Sequence, residues 1–389
     1  MLNFENTKIA FANKSDLQLK KAYYLFKLIS YNVLISLGPF FLKIALFLRL
    51  PIEGIIKSTV FQHFCGGESI EDCEDRIQEL SQFNVKTILD YSVEGKEREN
   101  DFDQFLGKAV ASIERARKDS NVPFCVFKTT AVIPFALLEK VSANEVLTDD
   151  ESMIFLRGRN RIDIICNYAH NSGIPVMIDA EESWIQTAID EIALLMMYRY
   201  NKKQAIVYNT VQMYRHDRFD YIENLLKQAQ EENFYLGLKI VRGAYMEKER
   251  ARASKMGYPD PIQENKAATD LDFNRAMEYC LNHTDRIAIC AGTHNEESSL
   301  LLTRLMEEKS IPNNHPQVYF SQLLGMSDHI SFNIAKAGYN VAKYVPYGPV
   351  KEVMPYMIRR AEENTSISGQ TGRELNLIMK EIERRKNNQ

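Results

Sequence analysis

Eight short runs rich in β-branched and aromatic residues recur along this chain, each meeting a polar turn and set off from the next by helical patterning. They lie at 85–91 (VKTILDY), 124–128 (FCVFK), 175–179 (PVMID), 205–211 (AIVYNTV), 235–241 (YLGLKIV), 287–291 (IAICA), 318–321 (VYFS) and 340–345 (NVAKYV). Between them, residues 101–118 place Phe102, Phe105, Leu106 and Ala109 at helical spacing, and 184–200 do the same with Ile185, Ala188, Ile189 and Ile192. Residues 220–232 and 296–309 continue the pattern, the latter opened by an Asn295 cap. Strands alternating with helices predict an α/β fold, a parallel (β/α)8 barrel. A doubly wound open sheet is the alternative, but no G-x-G-x-x-G follows the first run. Residues 1–80 read as an N-terminal helical segment and 81–389 as the barrel domain, with one last helix from 370.

A length of 389 residues suits one such barrel with extra helices, and 45% apolar with 26% charged residues is an ordinary globular composition. The net charge of −4 gives no case for nucleic-acid binding. Six cysteines occur, none in a C-x-x-C pair, which fits a reducing compartment and no zinc site. His63, Cys65 and Cys73 cluster too loosely for a metal. Residues 1–16 carry acidic side chains and no apolar core, so no secretory signal is expected and the location is read as cytoplasmic. The stretch 28–50 is strongly apolar and nearly long enough to cross a bilayer, but Asn32, Lys43 and the Gly38-Pro39 pair oppose a span. Two readings stay open for it: helices packed on the main domain, or a peripheral contact with the inner face of a membrane.

Barrel chemistry gathers where strands end. The second run ends in Lys128 and the third in Asp179, followed by Ala180-Glu181-Glu182; Gln212 follows the fourth. The fifth passes through Lys239 into Arg242-Gly243-Ala244-Tyr245, and the sixth leads to Thr293-His294-Asn295. The seventh leads to Gln322-Leu323, and the eighth holds Tyr344. Each has an ordinary explanation: a solvated turn, a helix cap, a tight turn, or for Arg359-Arg360 a helix face paired with Glu363. Their coincidence at seven of eight strand ends favours function.

The strings Ile178-Asp-Ala-Glu-Glu182, Val241-Arg-Gly-Ala-Tyr245, Thr293-His-Asn295 and Tyr356-Met-Ile-Arg-Arg-Ala-Glu-Glu-Asn364 resemble those of the proline dehydrogenases, in the family's order, over roughly residues 85–368. The resemblance implies a distorted (β/α)8 barrel holding a noncovalent FAD. It implies oxidation of L-proline to 1-pyrroline-5-carboxylate, the first step of proline catabolism, by hydride transfer from proline C5 to flavin N5. Electrons then pass to a quinone or similar acceptor. Arg359 and Arg360 would grip the substrate carboxylate, for which arginine's planar fork is matched. Lys128 would also touch it, and Asp179 would pair with Lys128 and an arginine. Tyr245, Leu323, Tyr344 and Tyr356 would wall the ring.

By the same resemblance, Lys239 lies near flavin N5, where many bacterial relatives carry arginine. Ala180 lies under the flavin, and Gln212 bonds its ring. Arg242, Gly243 and Ala244 follow the pyrophosphate; Thr269, Thr293, His294 and Glu363 complete the cofactor contacts. Asp179, Lys239, Lys128 and Tyr344 form the expected catalytic set. Members that accept hydroxyproline tend to carry a small residue at the position of Tyr344, so proline is expected to be strongly preferred. No aldehyde dehydrogenase follows in this sequence, so a transient contact with a separate pyrroline-5-carboxylate dehydrogenase is expected. The competing readings are a methylenetetrahydrofolate reductase-like flavin barrel, which has little use for the arginine pair, and a membrane-docked barrel without flavin.

Overall fold

The computed structural model of the chain describes residues 2–29, 53–93, 97–366 and 370–388. Eight parallel strands close into a barrel in sequence order: β1 (Lys86–Tyr91), β2 (Phe124–Lys128), β3 (Val176–Asp179), β4 (Val207–Gln212), β5 (Leu236–Val241), β6 (Ile287–Gly292), β7 (Val318–Leu323) and β8 (Val341–Tyr347). All eight expected runs are strands. The clearest shift is at β4, expected from residue 205. Asn201 Oδ1 accepts the Ile206 and Val207 N–H groups at 2.9 and 2.8 Å, a side-chain cap that delays the strand.

The longer helices are α1 (Asp16–Ile29), α2 (Glu99–Arg117), α3 (Asp149–Ser172), α4 (Ser183–Tyr200), α5 (Arg218–Glu231), α6 (Met246–Met256), α7 (Lys266–Asn282), α8 (Glu296–Glu308), α9 (Asp328–Lys336), α10 (Met354–Ser366) and α11 (Gln370–Lys386). Asn295 caps α8 as expected, accepting from the Ser298 N–H at 2.8 Å. The described parts of the N-terminal segment are helical, including a π-helical turn over Lys57–Phe61. The apolar stretch 28–50 lies outside the described residues from 30 onward. Among the described residues, no helix is long and apolar enough to cross a membrane.

The chain divides into two compact units, residues 95–321 and residues 1–94 with 322–389. In the unit 95–321, register places Lys128 beside Asp179, Thr210 beside Lys239, and Lys239 beside Cys290. Side chains alternate across a strand. Phe124 of β2 meets Tyr208 of β4 edge-on at 5.4 Å and Tyr319 of β7 at 4.8 Å. Rings from non-adjacent strands meet this way only inside the barrel, so these three fill its interior. Two strand repeats further along β2 and β4, on that inward face, stand Lys128 and Gln212.

In the other unit, β1 pairs with β8 from Lys86↔Ala342 to Tyr91↔Tyr347. Leu19, Ala22 and Phe26 of α1 pack on Leu377 and Ile378 of α11. Phe61, Phe64 and Cys65 share a second core with Met354, Tyr356 and Met357 of α10. The N-terminal and C-terminal helices therefore form one packed body with β1 and β8.

Candidate active site

The inward end of β3 carries Asp179 and the middle of β5 carries Lys239, and the two form an ion pair. Lys239 is 6% exposed. Removing a lysine from water is unfavourable without a partner, and the carboxylate supplies one. Beside the expected partners of Asp179, Lys128 and an arginine, the structure shows this ion pair with Lys239. Both lysines point inward, and the strand spacing brings Lys239 to the carboxylate across β4. Lys128 also lies in the field of Glu181, whose carboxyl accepts the Thr130 N–H at 3.1 Å and the Thr130 hydroxyl at 2.6 Å.

Glu181 is a feature that sequence reading left without a role. Burial pushes its carboxyl up to about 7, against the opposing pull of Lys128 and Thr130. The backbone around it is fixed as well. Gln186 Oε1 accepts the Glu181 N–H at 2.9 Å, and Gln212 Nε2 donates to the Glu181 carbonyl at 2.7 Å. Gln186 is oriented by Asp190, which accepts its Nε2 at 2.8 Å, Asn209 Nδ2 at 2.9 Å and Arg218 Nη1 at 2.7 Å. Glu249 of α6 is fully buried and accepts the Ser183 N–H at 2.6 Å and its hydroxyl, so it caps α4 from another helix. The repeated acidic pair Glu181-Glu182 was the only sequence signal for this network.

The β5 turn is built around Gly243. Its φ is 143°, and a Cβ there would stand 2.5 Å from the Tyr214 ring. Only glycine fits, and it leaves the backbone of residues 243–244 exposed. Ala244 N–H approaches Gln212 Oε1 at 3.4 Å. Arg242 is braced by Asp270 at 2.6 Å, the Thr293 hydroxyl at 2.6 Å and the Ser298 hydroxyl at 2.8 Å. Thr269 is buried in the first turn of α7, and His294 follows Thr293 in the loop before α8. Ala180 is buried, and Tyr245 is the N-cap of α6.

This end of the unit combines an exposed glycine turn, two cations, a glutamine amide and the buried Thr210 hydroxyl, which has no protein partner. Such a donor set suits a flat, hydrogen-bonding ring with an anionic tail. Among the described residues, no three His, Cys, Asp or Glu side chains could hold a metal ion.

The remaining expected residues lie in the unit 1–94 with 322–389. Tyr344 is buried in β8, and Leu323 ends β7. Arg359 and Arg360 occupy successive positions of α10, about 100° apart around its axis. Arg360 is buried with its guanidinium 5.1 Å from the Tyr356 ring centroid, a cation–π contact. The side chain of Glu363 lies outside the described residues.

The sequence profile of the proline dehydrogenase family matches residues 73–373. Proline dehydrogenase 1, mitochondrial, of Dictyostelium discoideum is 31% identical over 430 residues, covering 99% of this chain and 75% of that one. The carbapenem antibiotics biosynthesis protein CarD of Pectobacterium carotovorum subsp. carotovorum is 32% identical over 333 residues, covering 86% of each. Among solved structures, proline utilization A from Bdellovibrio bacteriovorus, inactivated by N-propargylglycine, superposes with a TM-score of 0.72 at 20% identity. The match covers 92% of this chain and 38% of that one, and it bears on the fold.

Proposed function

Because this chain belongs to the proline dehydrogenase family and is an oxidoreductase that carries out proline oxidation, the first step of proline catabolism, we propose that it does so with bound FAD at the ends of β3 to β6. The observation that carries the proposal is the buried Asp179–Lys239 pair beside the exposed Gly243 turn. An ammonium fixed inside a barrel offers a donor and a positive charge to a ring that gains electrons. Bound FAD would supply the acceptor for the hydride from proline C5, and loss of the ring-nitrogen proton would complete 1-pyrroline-5-carboxylate.

The chain's own residues bind, orient and exclude water. Asp179 holds Lys239 in place. Gln212, held in place by Glu181 and Ala244, would offer its amide to the flavin ring, and Ala180 would line the same site. Arg242, Gly243 and Ala244 follow the pyrophosphate, with Thr269, Thr293, His294 and Glu363 completing the cofactor contacts. Arg242 reaches that task already oriented by Asp270, Thr293 and Ser298. Arg359, Arg360 and Lys128 bind the proline carboxylate, while Tyr245, Leu323, Tyr344 and Tyr356 wall its ring. Electrons pass on to a quinone or similar acceptor, and the product passes to a pyrroline-5-carboxylate dehydrogenase.

The test is an anaerobic proline titration of the purified protein. Bleaching of a bound flavin's visible absorbance is expected; a colourless protein, or flavin that ignores proline, overturns the reading. Arg360→Met should weaken proline binding by about 2–5 kcal/mol, the cost of removing one partner of a desolvated charge pair. The same titration with trans-4-hydroxyproline should leave the flavin oxidised, because the Tyr344 phenol excludes a ring hydroxyl.

A further inference from the structure

The turn after β7, Leu324 to Ser327, is strained and held at almost every polar atom. Gly325 has a φ of 76° and Ser327 a φ of 52°, so two of its residues are left-handed, one of them not glycine. A Cβ at Gly325 would stand 2.5 Å from the His63 carbonyl oxygen, so no other residue fits without movement. Such a turn persists where its surroundings over-determine it.

Those surroundings come from four parts of one unit. His63 Nε2 donates to the Gly325 carbonyl at 2.9 Å. The Leu324 N–H donates to the Tyr344 carbonyl at 3.0 Å, and the Glu374 carboxylate of α11 accepts the Ser327 N–H. At the centre is Lys343 of β8, which is completely buried. Its ammonium donates to the Leu323 carbonyl at 3.4 Å and to the Met326 carbonyl, and it pairs with Asp328 at 2.8 Å. Three donors thus meet three acceptors. Asp328 is shared with Lys14 of the N-terminal segment at 3.0 Å.

Lys343 lies on the outward face of β8, next to the inward-facing Tyr344. It bonds the carbonyl of Leu323, the last residue of β7. A change at Lys343 therefore reaches both Leu323 and Tyr344 through the backbone. We propose that Lys343, with Asp328 and Lys14, is a positioning residue that sets the spacing of the substrate-facing side chains Leu323 and Tyr344 to a five-membered ring. This rests on the proposed role of Leu323 as a substrate wall. A lysine that only stabilised the fold would not care which substrate is offered.

The test uses full-length holoprotein and two substrates, proline and its six-membered-ring homologue. Lys343→Met keeps the length and removes the donors. Lys14→Met removes the outer charge at a partly exposed site and serves where the first variant does not fold. The ratio of kcat/KM for proline to that for the larger ring should fall about tenfold for Lys343→Met and less for Lys14→Met, because small misplacements near the reacting ring are costly. In a Leu323→Ala background the same change should move the ratio less than about twofold, because coupled residues are not additive. An equal fall in both backgrounds, or an unchanged ratio in the single variants, overturns the proposal alone. If Leu323→Ala itself leaves proline turnover unchanged, the wall assignment falls and takes this proposal with it.

Discussion

The turn after β3 and the turn after β7 are both tightly held, but by different parts of the chain. The β3 turn is fixed from inside its own barrel unit: Gln186 and Gln212 grip the two sides of Glu181, and Glu249 caps the helix that follows. The β7 turn is fixed by residues remote in sequence: His63 and, through Asp328, Lys14 from the N-terminal segment, and Glu374 from the last helix. The first turn uses amides and carboxylates whose partners lie on neighbouring strands and helices. The second depends on a buried lysine whose three donors are met by two carbonyls and the Asp328 carboxylate. The contrast teaches that the extra helices of this barrel do for one strand end what ordinary barrel packing does for another.

Substitutions can break or sharpen that contrast. The largest effect is expected from Lys239→Met, which takes the cation away from Asp179 beside the β3 turn. Removing one partner of a buried ion pair costs about 3–5 kcal/mol, read as a lower urea midpoint. Unaltered stability would mean that the β3 end is not held by its ion pair, and the comparison would lose one side.

Next comes Glu181→Gln. Burial raises the Glu181 carboxyl to about 7 from 4.5, so the folded protein holds this proton more tightly than the unfolded chain. Its stabilising share is therefore complete below about pH 4.5 and lost as pH rises through about 7. The variant should remove up to about 3 kcal/mol of pH dependence in that window, followed by thermal melts at several pH values. A pH profile identical to that of the parent would contradict it.

Glu249→Gln should be smaller, about 1–2 kcal/mol, since the amide keeps one acceptor for Ser183 but loses the charge at the α4 N-terminus. Its effect should stay on the β3 side: stability falls while the preference for proline over larger rings holds. A shift in that preference would show that the two turns are coupled.

The strands were legible because each is a compact β-branched run bounded by a polar turn. What escaped was pairing across the barrel. Lys239 and Asp179 stand on β5 and β3, 60 residues apart, and nothing in the sequence signals that they meet. Lys343 reads as an ordinary strand lysine amid apolar neighbours, yet it is buried because Asp328 and the carbonyls of the β7 turn surround it. Lys14 joins that cluster from more than 300 residues away, beyond the reach of any periodic pattern. The glycine turn at 243 was legible by contrast, because a local backbone requirement leaves a local residue signature.

The pairing of β1 with β8 has a consequence for how the molecule comes into being. Lys86 meets Ala342 only after about 250 further residues have been made. At roughly 5–20 residues per second, one edge of β1 waits about 10–50 s on the ribosome for its neighbour. Its buried Ile88 and Leu89 are bare on that edge for the same interval, as are Lys14 and His63 for the partners they will find beside β7. Synthesis of this protein is thus a race between the arrival of the last strand and self-association of the first, and slower elongation or a scarcity of chaperones should lower yield before it touches the finished enzyme.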